Sequence, residues 1–254
     1  MQSVRIIPCL LLKGTGLVKT RLFRDPTYIG DPCNAVKIFN DKEVDELILL
    51  DIDATPQRQL PKFDLVRDIV SEAFMPVAYG GGIRTVEDAR KMLFLGVEKI
   101  VICTAAIENP RLISDLAETF GSQSVVVCMN VKKTVLGKYV LFTHGARTRT
   151  RHDPAEFAKQ AEGLGAGELM VNAVHADGTM SGYDIDLIRS VSKSVGVPTI
   201  ACGGAGSVQH LADACSAGGV SAVAAGSMFV FHGKHRAVLI SYPKQPTLAE
   251  AFSK

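Results

Sequence analysis

Residues 199–210 read Thr199-Ile-Ala-Cys-Gly-Gly-Ala-Gly-Ser-Val-Gln-His210, and residues 76–86 read Pro76-Val-Ala-Tyr-Gly-Gly-Gly-Ile-Arg-Thr-Val86. Each is a short apolar strand candidate, a glycine-rich turn and the opening of a helix candidate, Ser207–Gly218 in one case and Thr85–Gly96 in the other. Glycines at such a turn leave backbone N–H groups bare at a helix N-terminus, where the partial positive charge suits a phosphate. The turns Gly80–Arg84 and Cys202–Gly206 occupy matching places in the two halves of a chain of 254 residues. That placement predicts a duplicated unit and a ligand with a phosphate at each end.

Outward from these turns, apolar runs alternate with amphipathic stretches. The strand candidates are Val4–Leu12, Glu46–Ile52, Pro76–Tyr79, Lys99–Thr104, Ser124–Val131, Glu168–Val174, Thr199–Cys202 and Ala222–Gly226. Their continuous hydrophobicity predicts parallel strands buried on both faces. Asp31-Pro32, Asn109-Pro110 and Asp153-Pro154 each offer a capping side chain followed by proline at the first helical position. Thr85 and Asp88 have capping-box spacing, and Gly96 and Gly165 stand where helices should stop. Eight β-then-α units in this length predict an α/β fold: a single (β/α)8 TIM barrel with a two-fold half-barrel pseudo-repeat, residues 1–254 forming one domain. An open doubly wound sheet fits less well, because a closed ring sets both glycine turns on one mouth. Two long connections, Lys13–Gly30 and Lys132–His152, follow strand C-termini and should overhang that mouth. The second reads as an inserted hairpin, and the tail from about residue 232 carries little pattern.

Composition excludes several classes. A net charge of +2 with no Trp and five Tyr gives little for nucleic acid to bind. No run reaches the roughly 20 apolar residues of a membrane span, and the first twelve residues do not read as a signal peptide. Six cysteines without a C-x-x-C pair, four of them in strand candidates, read as reduced thiols in a cytoplasmic protein. Neither a metal nor a cofactor is expected from these spacings.

Barrels carry their chemistry at strand C-termini. Those positions hold Leu11, Asp51, Gly82, Cys103, Thr104, Asn130, Asp177, Gly178, Gly204, Gly226 and Ser227. Gly82, Thr104, Gly178, Gly204, Gly226 and Ser227 are phosphate-site candidates, and Asp51 and Asp177 are carboxylates available for proton transfer or for holding ligand hydroxyls. Asp51 reads equally well as a loop-anchoring acid. At the other end of the strands, Arg5, Glu46, Lys99 and Glu168 would form a ring of two positive and two negative charges if all four point inward.

In order along the chain, Arg5-Ile-Ile-Pro-Cys-Leu10, Glu46-Leu-Ile-Leu-Leu-Asp51, Gly80-Gly-Gly-Ile83, Thr104-Ala-Ala106, Glu108-Asn-Pro110, Phe120-Gly-Ser-Gln123, Asp177-Gly-Thr179, Ser181-Gly-Tyr-Asp184 and Gly203-Gly-Ala-Gly206 resemble the cyclase subunit of imidazole glycerol phosphate synthase, the HisF family, from residue 4 to about 231. The resemblance implies a barrel that takes ammonia from a glutaminase (HisH-like) partner and adds it to a sugar bisphosphate at the mouth. It also implies a functional Lys19 in the first loop, and an ammonia gate at Arg5, Glu46, Lys99 and Glu168. The family's acid/base pair is two aspartates at the ends of the first and fifth strands, and this chain has Leu11 and Asn130 there. Leucine carries no proton and an amide has no useful basicity. Cys103, His175 and Cys202 depart from the family pattern as well.

Three readings follow. One is a HisF-like partner subunit that conducts ammonia, its cyclase chemistry weak or lost, with amidation of a surface-polysaccharide (lipopolysaccharide) sugar by a third protein, a sugar amidotransferase. Another is an ordinary histidine-pathway cyclase in which Asp51, Asp177 or His175 has taken over proton transfer. The last is a non-catalytic phosphosugar-binding protein. The charged ring favours the first.

Overall fold

Eight apolar runs become eight parallel strands in the computed structural model, which describes residues 4–253. They are β1 Arg5–Lys13, β2 Leu47–Asp51, β3 Val77–Gly80, β4 Lys99–Ile102, β5 Val125–Lys133, β6 Glu168–Ala173, β7 Thr199–Cys202 and β8 Ala222–Ala225. Each pairs in parallel with the next. β8 pairs with β1 (Arg5 opposite Ala222) and β5 with β6 (Val126 opposite Glu168), so the sheet closes into a barrel. The fold is the expected (β/α)8 barrel.

Continuous hydrophobicity is required because each strand is buried on both sides. Outward residues such as Leu10, Leu49, Tyr79 and Leu169 pack under the helices with Phe39, Ile69, Met92 and Phe157. Inward residues form a second, smaller core that includes Ile7, Cys9, Leu11, Ile48, Val101, Cys128, Met170 and Cys202. Alternation therefore stacks Arg5, Ile7, Cys9 and Leu11 in one inward column on β1. It does the same for Val126, Cys128 and Asn130 on β5 and for Glu168, Met170 and Asn172 on β6.

Most helix starts follow their sequence signals. The Asp31 side chain accepts from the Asn34 N–H, and Asp153 accepts from the Ala155 and Glu156 N–H groups. Thr85 and Asp88 exchange both bonds of a capping box ahead of the helix Val86–Phe94. Asn109 departs from expectation: Pro110 itself is the cap residue of Arg111–Phe120, and no side chain caps that helix. Asn109 breaks the preceding short helix (φ −136°, ψ 78°), Pro110 is already in the helical conformation, and the Leu112 N–H donates to the Asn109 carbonyl at 3.0 Å.

The two long connections are not loops. Residues Gly16–Arg21 and Arg24–Gly30 pair antiparallel, the first of them on β1. Tyr139–Thr143 pairs antiparallel with the extended end of β5. After β8, a short helix Ser227–Val230 leads into an extended segment and then the helix Gln245–Phe252, which packs on Val208–Ser216. Among the described residues no helix is long and apolar enough to cross a membrane.

Candidate functional site

A cavity of about 1180 Å3 opens at the C-terminal mouth of the barrel. Leu11, Lys19, Asp51, Gly82, Thr104, Asn130, Asp177, Gly178, Gly204, Gly226 and Ser227 all line it. Residues spread over some two hundred positions thus meet in one place because all sit on barrel-strand ends or the connections that follow them.

The cavity's buried charged groups, Lys19, Asp51 and Asp177, are each paired. The Lys19 ammonium, buried to 6% exposure, stands 3.2 Å from an Asp177 carboxylate oxygen, while the Thr20 hydroxyl donates to the other oxygen at 3.1 Å. Burial alone would push the Lys19 pKa down, but Asp177, together with Cys9 and Cys202, holds the ammonium above its ordinary value. Asp51 is fully engaged as well. The Lys62 ammonium donates to one oxygen at 2.5 Å, and the backbone N–H groups of Asp53 and Ala54 donate to the other at 3.0 and 3.1 Å. The anchoring reading of Asp51 therefore describes its geometry in the free protein.

Leu11 lies on β1 opposite Leu50 and Val18, an apolar setting. Asn130 sits in a neutral network. Its amide donates to the Cys103 sulfur at 3.3 Å, and its carbonyl oxygen accepts from the Asn172 amide at 3.3 Å. The remaining oxygen of Asn172 is buried with no partner, and so is the Ser227 hydroxyl. Buried polar atoms are rarely left unpaired, so these two are the groups readiest to bind a ligand.

At the glycine turns, close packing dictates the residue. A Cβ on Gly204 would stand 2.0 Å from the Gly182 carbonyl oxygen, and its φ is +116°. One on Gly226 would stand 2.7 Å from Lys19 Cε. The Gly82 N–H donates to Thr55 Oγ1 at 3.3 Å, and the Thr104 hydroxyl accepts from the His144 N–H at 3.0 Å. Positive charge around the mouth comes from Lys13, Arg24, Arg58, Arg84, Lys132 and Arg147, which line the same cavity.

His175 is not among the lining residues. Its Nε2 lies 2.8 Å from Asp184, which also accepts from the Tyr139 hydroxyl at 2.8 Å. As a stand-in for a lost proton carrier it is therefore misplaced: it ties the hairpin after β5 to the segment after β6.

Asn172 and Lys132 went unnoticed in the sequence, although the period-2 alternation from Glu168 and from Asn130 would have put both on the inward side. Thr20, Lys62 and the arginines carry no local signal, because only the fold of the loops brings them to the mouth.

The opposite end holds a closed ring of ion pairs. Arg5 reaches Glu46 at 2.5 Å and also Glu168, while Lys99 reaches Glu46 and Glu168 at 3.0 Å each. Glu46 is 3% exposed and Glu168 7%. Burial lowers the Arg5 pKa, but Glu168 and Glu46 together hold it above its ordinary value. Between ring and cavity lie the apolar side chains and thiols of the inner core.

Comparison with known proteins gives consistent matches. A family model described as histidine biosynthesis protein matches residues 5–236. A Pseudomonas aeruginosa protein described as imidazole glycerol phosphate synthase subunit hisF2 is 52% identical, over 94% of this chain and 95% of its own length. A Vibrio vulnificus protein described as subunit hisF3 is 49% identical over 96% of this chain and 94% of its own. Subunit HisF of Alkaliphilus metalliredigens is 40% identical over 91% and 92%.

Proposed function

Because the chain belongs to the histidine biosynthesis protein family and is HisF-like along nearly its whole length, we propose that it is the ammonia-accepting subunit of a glutamine amidotransferase-type complex. A HisH-like glutaminase docks on the floor around Arg5, Glu46, Glu98, Lys99 and Glu168. Ammonia released there passes the ring, crosses the apolar interior and emerges in the cavity beside a phosphorylated sugar-type ligand. The passage favours neutral ammonia over ammonium, since an unpaired charge is costly away from water.

The observation that carries this reading is a contrast between the two ends. The floor keeps all four charged residues in mutual contact, while at the mouth the two inward positions that would move protons hold Leu11 and Asn130. Cyclisation by this chain is accordingly weak or absent. We assign its ammonia to amidation of a surface-polysaccharide sugar, which needs a sugar amidotransferase as third component. Gly82, Thr104, Gly178, Gly204, Gly226 and Ser227 with the basic rim hold the ligand's phosphates, and Lys19, Asp51 and Asp177 shape the reacting end. The setting is cytoplasmic, and residues 1–254 act as one domain.

Co-elution of the purified barrel with the glutaminase of its own genome, together with glutamate release, tests the proposal. Glutamine hydrolysis should be faster in the complex than in the glutaminase alone, and Lys99→Ala should let ammonia escape so that glutamate exceeds aminated product. Absence of both binding and stimulation refutes the conduit. Turnover of a HisF-type bisphosphate with ammonium salt at an ordinary cyclase rate would instead favour a histidine-pathway enzyme.

A further inference from the structure

Four cysteines, Cys9, Cys103, Cys128 and Cys202, line the cavity. We propose that Cys103 and Cys128 are a peroxide-responsive pair that closes to a disulfide at the cavity wall and reopens on reduction. The strand register singles them out. Ile102, the last residue of β4, lies opposite Val127 of β5, and Cys103 follows the one immediately as Cys128 follows the other. Neighbouring strands are about 4.8 Å apart, inside the roughly 4.4–6.8 Å between Cα atoms that a disulfide spans. Both thiols border the Asn130 amide, Cys103 accepting from its NH2 at 3.3 Å and Cys128 donating to its oxygen at 4.0 Å. Cys9 on β1 and Cys202 on β7 share the same inner core, but β8 runs between their strands. Two strand spacings, about 10 Å, exceed what a disulfide bridges without moving backbone.

The surroundings divide the roles. Cys103 is the more exposed to the cavity, and the Asn130 amide donates to its sulfur at 3.3 Å, which favours the thiolate. The Cys103 thiolate attacks one oxygen of hydrogen peroxide, the O–O bond breaks, and the departing hydroxide takes a proton to become water. Cys103 is then a sulfenic acid. The buried Cys128 sulfur attacks it, the S–S bond forms and the S–O bond breaks, and hydroxide leaves with the Cys128 proton as a second water. Two thiols are oxidised and one peroxide is reduced. Closure draws the Cys103 sulfur off Asn130 and pulls on Thr104, the next residue, at the rim.

The full-length protein, reduced and freed of reductant, is exposed to hydrogen peroxide and its thiols are counted after denaturation. Two of the six cysteines should be lost, peptide mapping should show a Cys103–Cys128 link, and dithiothreitol should restore both. Cys128→Ser should arrest Cys103 as a sulfenic acid that dimedone traps. Cys103→Ser should slow thiol loss at least tenfold. A link between other cysteines, or an unlinked Cys103 after peroxide treatment, overturns the proposal, and that mapping needs no variant.

Discussion

At position 130 an amide faces the cavity, donating to the Cys103 sulfur and accepting from Asn172. A carboxylate there would accept from Asn172 as well, but would press a negative charge on the sulfur and offer a base to the cavity. General acid–base groups contribute roughly 10²–10⁴-fold each. Restoring both with Leu11→Asp and Asn130→Asp should therefore raise ammonium-dependent turnover of a HisF-type bisphosphate by roughly 10²-fold or more. An unchanged rate in that assay would show that cyclisation fails for a reason other than the missing carboxylates. Lys19 allows a second test. Its partner Asp177 is 7% exposed, and Lys19→Met leaves that carboxylate with the Thr20 hydroxyl as its side-chain partner. Breaking a buried pair from one side costs about 3 kcal/mol or more, so the urea midpoint should fall accordingly. At this scale the sequence was partly legible. Strand-end positions name Leu11, Asn130, Asp51 and Asp177, yet nothing local says that Lys62, eleven positions on, already occupies Asp51. Pairing is a property of folded loops, and the spacing of residues in a chain does not encode it.

Among the elements, Asp184 joins three. It caps the helix Ile185–Ser192 by accepting from the Leu187 N–H, and it holds both the Tyr139 hydroxyl and His175 Nε2. Burial opposes its ionisation, but the His175, Leu187 and Tyr139 hydrogen bonds win and bring its pKa down to about 2. A carboxylate whose folded pKa lies below its unfolded value stabilises the fold above about pH 4 and loses that contribution as pH falls toward 2. Thermal melts of Asp184→Asn should show a lower melting temperature than the parent at pH 7, with the gap narrowing between pH 4 and 2. A gap that stays constant with pH would place the effect in packing. The hairpin this acid fastens is the one the sequence announced between Lys132 and His152. Lys13–Gly30, by contrast, reads as a long loop because its strands are only partly buried and its alternation is weak, whereas in the structure it is a pair of strands laid over the mouth. Capped helices and doubly buried strands read clearly, since capping and continuous apolar runs are local signals. The exposed second strand of the Lys13–Gly30 hairpin has no such local signal.

For the molecule as a whole, the barrel and its two ends are written in the eight apolar runs, and the charged ring in the residue that opens or precedes four of them. Glu46→Gln tests how much that ring holds. Arg5 and Lys99 would then share Glu168 alone. Their side chains are 27% and 19% exposed, so the loss should be about 2 kcal/mol, below the ~3–5 kcal/mol of a fully buried pair. For a chain of this size that lowers the melting temperature by roughly 4–8 °C. A smaller drop that shrinks further in high salt would mark the pairs as solvated.

The ring also has a bearing on how the chain is made. Arg5 leaves the ribosome 163 residues ahead of its partner Glu168, and its backbone neighbour Ala222 follows later still. Contacts so distant in sequence are reached slowly, since chain entropy must be lost before they form. Until β8 arrives, β1 has an open edge on one side, and the ring has no second carboxylate until β6 arrives. The nascent chain therefore has neither a closed wall nor a complete floor through most of its synthesis, and chaperones should hold it longest in that interval.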